Sequence, residues 1–415
     1  MSPYYRAFTT ICLFAPLVYI YWCLLATHDT IGGFRGWSGA EDVLNRTLGF
    51  QKIYVINLPS RSDRRDAMAL AGAFSNLTFT WIDGVPGDQV ADSIAPGSGS
   101  PGAKGSWRSH MNALQAVVRD NLESALIIED DIDWDIRLKS QLQTFSLASR
   151  TWLRESRFHK RHAELLESAP PSLHKRRSTT TMGADSEKNT IQLTSTNGVD
   201  DKLDRVAYGD DWDVLWLGHC GADFPNDLAR VSPLKVAISG DETVPAPKHL
   251  KPHPFALQDK LGEVYPPHTR VVHASSGNVC SLAYAVSNQG AQKLLLEFNN
   301  SYDAQWDLML QRWCERKSTK DQSPAESEPN SDGEALHEHR EVPPVCLTVQ
   351  PPLFSHRYAE GGASDIQGEG GGYAKGTGTP YIRLSVRENM KNLVTGMPES
   401  EMTDQLPDDG KAIWK

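Results

Sequence analysis

The chain carries its apolar residues in two kinds of pattern. Short β-branched and aromatic runs at 52–58 (KIYVINL), 78–82 (TFTWI), 125–128 (ALII), 213–217 (DVLWL), 279–286 (VCSLAYAV) and 345–349 predict buried strands. Between them, Met111, Leu114, Val117 and Val118 recur at helical spacing and predict a helix over 106–121. Two more helices are expected over 287–298, with Ser287 as N-cap, and over 304–314. The stretch 86–105 is rich in Gly, Pro and Ser and reads as a loop. Strands alternating with helices predict an α/β fold with a mostly parallel sheet flanked by helices.

Other stretches break this rhythm. Residues 8–26 (FTTICLFAPLVYIYWCLLA) contain no charge, and this run is long enough to span a bilayer. A transmembrane anchor is expected there rather than a cleaved signal peptide, because the run is long and bulky at its end. Arg6 then favours a short cytoplasmic tail, 1–7, and a luminal body in single-pass type II orientation. Residues 27–49 read as a stem, and 50–358 as the folded body. Polar, charge-rich stretches at about 157–209 and 318–341 read as poorly ordered insertions. The tail, 359–415, opens Gly-rich and is expected to be peripheral.

Composition adds a compartment and removes one function class. A net charge of −10 over 415 residues argues against a general nucleic-acid binder. Cys12 and Cys23 fall in the apolar run, whereas Cys220, Cys280, Cys314 and Cys346 lie in the body without zinc-site spacing. In an oxidising lumen these four can form two disulfides in any of three pairings; the alternative is buried free thiols. Sequons at Asn45, Asn76 and Asn299 agree with a luminal body in the endoplasmic reticulum or Golgi.

The chemistry concentrates where strands end. The apolar run ALII leads into Glu129, Asp130, Asp131, Ile132 and Asp133, at the kind of sheet edge where open α/β folds bind ligands. Asp131 and Asp133 can offer oxygens to one hard cation, Mn²⁺ or Mg²⁺, which would neutralise a departing diphosphate. The alternative is a solvated acidic turn. After the first strand come Asn57, Arg61, Arg64 and Arg65, and arginine forks suit phosphate oxygens. No dinucleotide or P-loop glycine fingerprint accompanies them.

The pieces YVINLPSRSDRR, GAKGSWRSHMNALQAV, ALIIEDDID, WDVLWLG, VCSLAYAVSNQGAQKLL and WDLML together, in this order, resemble glycosyltransferase family 25 over roughly residues 50–358. Ser106 departs from the pattern, since many members carry cysteine there. With its anchor and stem the chain is most similar to a eukaryotic secretory member, such as a fungal one. The resemblance implies a GT-A-type, Rossmann-like fold and a UDP-sugar donor, often UDP-galactose. It also implies inversion at the anomeric carbon and a glycan or glycoprotein acceptor. Inversion by single displacement needs a base, and Asp307 matches the family's segment, with Asp303 as second candidate. His356 is the expected late histidine for the metal. Asp83, Ser109, His110, Glu129 and Asp130 are expected to line the substrate site, and His219, just past a strand, could touch donor or acceptor. Competing readings are an inactive binding or scaffold protein and a metal-dependent phosphotransferase; the block EDDIDW lacks the threonine a phosphotransferase site would carry.

Overall fold

A computed structural model describes residues 42–91, 99–167, 189–193, 206–225, 234–250, 260–299, 302–316, 342–358 and 378–412. The expected anchor at 8–26 lies outside the described residues, and among these no helix is long and apolar enough to cross a membrane. In chain order the elements are β1 (Lys52–Asn57), α1 (Ser62–Phe74), β2 (Phe79–Asp83), α2 (Pro101–Arg119), β3 (Ser124–Glu129), β4 (Ile132–Trp134) and α3 (Leu138–Glu167). Then come β5 (Thr190–Gln192), β6 (Val214–Gly218), β7 (Lys235–Ser239), α4 (Leu261–Val264), β8 (Thr269–Ala274) and β9 (Ala283–Ser287). The last are α5 (Asn288–Phe298), α6 (Trp306–Cys314), β10 (Cys346–Gln350), β11 (Phe354–His356) and α7 (Met390–Val394).

One sheet runs β2-β1-β3-β9-β6-β10-β8-β7-β5, with β4 and β11 forming a ribbon off β6. Its central strands are apolar on both faces, which requires cover on both sides. Ile53, Val55, Leu126, Ile128, Leu215 and Leu217 point into one core with Met68 of α1 and Leu142 and Phe145 of α3. Tyr54, Ile127, Val214, Trp216 and Tyr284 point into the other, against Trp107, Met111, Leu114 and Val117 of α2, Leu294 of α5 and Met309 of α6.

The architecture is α/β as expected, but the sheet is mixed rather than mostly parallel. Five of its ten strand pairs are antiparallel: β9 enters reversed between β3 and β6, β8 between β10 and β7, and β4 pairs antiparallel with β11. A buried strand reads as the same apolar run in either direction, so the pattern carries no strand polarity. Helix α2 starts five residues before the expected 106, at Pro101, where Ser100 accepts a hydrogen bond from the Ala103 N–H. That is a Ser N-cap followed by Pro at the first helical position. Gly105 inside it is required by close approach, since a Cβ there would sit 2.4 Å from the Val85 carbonyl oxygen. Ser287 does cap α5, accepting from the Gly290 N–H.

Three expected boundaries move. Val43 and Leu48, placed in the stem, are fully buried in the core, and Leu48 O accepts from the Tyr208 hydroxyl. The expected insertion at 157–209 contributes the end of α3, the edge strand β5 paired with β7, and buried Ala207 and Tyr208. The C-terminal tail is not peripheral where it is described. Tyr381, Ile382, Val386 and Leu406 are buried, and the 378–389 stretch lies against the acid turn. The four body cysteines pair as Cys220–Cys280 and Cys314–Cys346.

Candidate functional site

β1 and β3 pair side by side in the sheet, and their carboxyl ends carry the chemistry. β3 ends at Glu129, Asp130 and Asp131 form a turn, and β4 leads away to pair with β11. The antiparallel register sets Ile132 opposite His356, and the Arg357 N–H donates to Asp131 O at 2.8 Å. This ribbon brings a histidine more than two hundred residues downstream to 3.3 Å from Asp131, Nε2 to Oδ2.

The same oxygen of Asp131 accepts from Arg64 Nη1 at 2.9 Å, and that nitrogen also reaches Asp130 Oδ1 at 2.9 Å. Asp130 Oδ2 accepts from Asn57 Nδ2 at 2.7 Å. Asp131 Oδ1 is buried with no hydrogen-bond partner among the described residues. Burial opposes the Asp131 charge, but His356, Arg64 and Arg387 outweigh it and hold this carboxyl well below the usual range. Burial and the Asp131 charge push the Asp130 carboxyl up. Burial works against the His356 cation, yet Asp131 and Glu129 prevail and raise its proton affinity.

Glu129 joins this group to a second one. Its Oε1 accepts from the Ser281 hydroxyl at 3.0 Å and lies 3.6 Å from His110 Nε2. His110 is buried, hydrogen-bonded through Nδ1 to the Tyr284 hydroxyl at 2.9 Å, and stacked on Trp306 at 5.2 Å between ring centres. Asp307 begins α6 beside that tryptophan. Its Oδ2 accepts from the Cys280 N–H at 2.8 Å and its Oδ1 from the Leu308 N–H at 2.9 Å. Burial raises the Asp307 proton affinity and the Glu129 charge adds to it, against those two donors. The disulfide from Cys280 to Cys220, two residues past β6, fixes the loop that supplies one of them.

The structure thus brings together Asn57, Arg64, His110, Glu129, Asp130, Asp131, Asp307 and His356. It does not bring in the remainder. Arg61 forks onto Asp63 at 2.8 and 2.9 Å, and Arg65 lies over the Trp81 ring at 4.4 Å. Asp83 is exposed at the end of β2. Ser109 ties α2 to the preceding loop, donating to Gly105 O and accepting from the Val85 N–H. Asp303 is exposed and paired with Arg312 at 2.5 Å. His219 is buried, its Nε2 donating to Val349 O at 2.9 Å.

Asp133, expected beside Asp131, faces elsewhere. Its Oδ1 accepts from the Trp134 N–H at 2.8 Å and the Arg387 N–H at 3.3 Å. Its Oδ2 accepts from the Thr379 hydroxyl at 2.8 Å and from the Ser385 hydroxyl. Asp133 therefore anchors the C-terminal segment, a role its D-x-D spacing did not reveal. That segment also carries Arg387, which no motif pointed to. Among the described residues no three His, Cys, Asp or Glu side chains stand together as a ligand set. Asp131 and His356 supply an acid oxygen and an imidazole side by side at the end of β3, with the other Asp131 oxygen unsatisfied among the described residues. That donor chemistry fits a divalent cation completed by phosphate oxygens and water.

An α/β sheet with carboxylates, a histidine and an arginine gathered at its carboxyl edge belongs to the class of folds that bind ligands at that edge. Residues 50–310 match the family model described as glycosyltransferase family 25 (LPS biosynthesis protein). The chain belongs to glycosyltransferase family 25. Similar proteins include procollagen galactosyltransferase 1-B of Xenopus laevis, 29% identical over 113 residues, covering 23% of this chain and 18% of that one. Procollagen galactosyltransferase 1 of Danio rerio is 30% identical over 112 residues, with the same two coverages. Procollagen galactosyltransferase 2 of Homo sapiens is 29% identical over 111 residues, again with 23% and 18% covered. The chain thus spans about a fifth of the length of the curated relatives it matches.

Proposed function

We propose that this chain moves a hexose, galactose in the first instance, from a UDP-sugar to a hydroxyl of a glycan or glycoprotein, with inversion. The observation that carries this reading is the Asp131–His356 pair with its unsatisfied acid oxygen, joined electrostatically through Glu129 to Asp307. Asp131 and His356 would hold Mn²⁺ or Mg²⁺, which when bound supplies Lewis-acid neutralisation of the leaving diphosphate. Asp307 takes the acceptor hydroxyl proton; its raised proton affinity makes it a better base than an exposed aspartate. The acceptor oxygen forms its bond to the anomeric carbon as the bond to UDP breaks. Arg64 and Asn57 hold Asp130 and Asp131 in place beside the diphosphate. The procollagen names of the relatives make a collagen peptide the first acceptor to try. Two disulfides support a luminal location, which the expected anchor at 8–26 would provide.

A panel of UDP-galactose, UDP-glucose, UDP-N-acetylglucosamine and GDP-mannose, each with a collagen peptide and a divalent metal, tests this. We expect one UDP-sugar to release UDP well above the others. Release of phosphate from simple esters, with no nucleotide-sugar turned over, would replace it with the phosphotransferase reading.

A further inference from the structure

The C-terminal segment lies beyond residue 310, where the family match ends. It nevertheless returns to the acid turn. Thr379, Ser385 and the Arg387 N–H hold Asp133, and Arg387 Nη2 donates to the Asp130 carbonyl at 3.0 Å. Arg357, directly after His356, donates through Nη2 to Glu388 at 3.0 Å. Arg387 Nε and Arg357 Nη1 are buried, and neither has a hydrogen-bond partner among the described residues. Arg387 stands in the field of Asp130, Asp131, Asp133 and Arg357, yet no carboxylate among the described residues pairs with its guanidinium.

Those carboxylates are already served. Asp130 has Asn57 and Arg64, Asp131 has Arg64 and His356, and Asp133 has two hydroxyls and two N–H groups. The local charge is therefore organised without the free edges of the two guanidiniums. A buried N–H without a partner is unfavourable in the folded state, and a tightly packed chain keeps one where something else will accept it. Two planar forks beside an Asp131–His356 pair match the spread oxygens of a diphosphate.

We propose that Arg387 and Arg357 bind the diphosphate of the nucleotide-sugar, so that the C-terminal segment forms one wall of the donor site. This rests on the donor class proposed above. Isothermal titration of the full chain with UDP and with pyrophosphate, at fixed Mn²⁺, tests it, with uridine followed by ligand-observed NMR. Arg387→Gln should weaken UDP and pyrophosphate binding about ten- to hundredfold. Uridine binding should stay as in the wild type, and Arg387→Lys should recover part of the loss. If Arg387→Gln does not fold, Arg357→Gln, whose known bond is to the surface residue Glu388, carries the test on the same criteria. UDP affinity within twofold of wild type in a folded variant, or an equal loss for uridine, would overturn the assignment while leaving the donor reading in place. A wild-type protein that binds no UDP would overturn both.

Discussion

Replacing Asp133 by asparagine removes one charge and turns one acceptor oxygen into a donor amide. The Trp134 and Arg387 N–H groups can keep the remaining oxygen. The Thr379 and Ser385 hydroxyls lose theirs, and both are buried. Hydrogen bonds to a charged acceptor contribute about 1.5–3 kcal/mol each. Because the hydroxyls can rotate to accept from the new amide, the lower end applies, about 3 kcal/mol for the two together. Asp131→Asn should behave differently. The amide oxygen can still accept from Arg64 and His356 in place of Oδ2, the repulsion with Asp130 is relieved, and Oδ1 had no partner to lose; what is lost is the charge that His356, Arg64 and Arg387 stabilise. Its destabilisation should therefore be the smaller of the two, about 1–2 kcal/mol. Equilibrium urea unfolding of both variants with disulfides intact, followed by tryptophan fluorescence, measures the two values. Equal destabilisation of both, or a fully stable Asp133→Asn, would refute the division of the acid block into a reactive and an anchoring half.

Three further outcomes are expected. His219 and His273 are buried, and burial lowers their proton affinity to pKa values of about 4 and about 3, from 6.5. Both rings are neutral when folded and take up a proton on unfolding, so stability is full above about pH 6.5. It should fall by about 1.4 kcal/mol per pH unit per ring as pH drops toward 4. Urea unfolding that gives the same stability at pH 7.5 and pH 5 would contradict this. The acidic limb of kcat/KM should lie above the ordinary aspartate range, because Asp307 must be ionised to act and burial raises its proton affinity; a profile flat to pH 4 would exclude it as the base. Cys220→Ser should lower stability by about 4 kcal/mol, as expected for opening a loop of 60 residues. It should reduce kcat more than it raises KM, since Cys280 positions Asp307; a change confined to KM would show that the loop serves binding.

Strands β1, β2, β3, β6, β9 and β10, helices α5 and α6 and the acid turn were legible because each is a local pattern: an apolar run, a cap, or acids after a strand; β4, β5, β7, β8 and β11 were not expected. Strand direction was not, since β9 reads alike in either orientation. Val43 and Leu48 were missed because two apolar residues in a polar stretch show no periodicity, although both are fully buried. The meeting of Asp131 with His356 depends on the β4–β11 register, a long-range pairing, and only the family resemblance pointed to it. Asp133 shows the limit most clearly. Its spacing from Asp131 suggested one cation site, whereas two hydroxyls from the C-terminal segment decide where its carboxylate goes.

The central claim is a transfer site built on Asp131, His356 and Asp307. UDP release from UDP-galactose over a Mn²⁺ titration, with a collagen peptide as acceptor, tests it most directly in wild type, Asp131→Asn and Asp307→Asn. The account predicts metal-dependent release in the wild type. It predicts a loss of about 10²-fold or more in Asp131→Asn at low Mn²⁺, for a contribution of several kcal/mol. In Asp307→Asn it predicts unchanged UDP affinity with turnover lost. Near-normal turnover in both variants at low Mn²⁺ would contradict it.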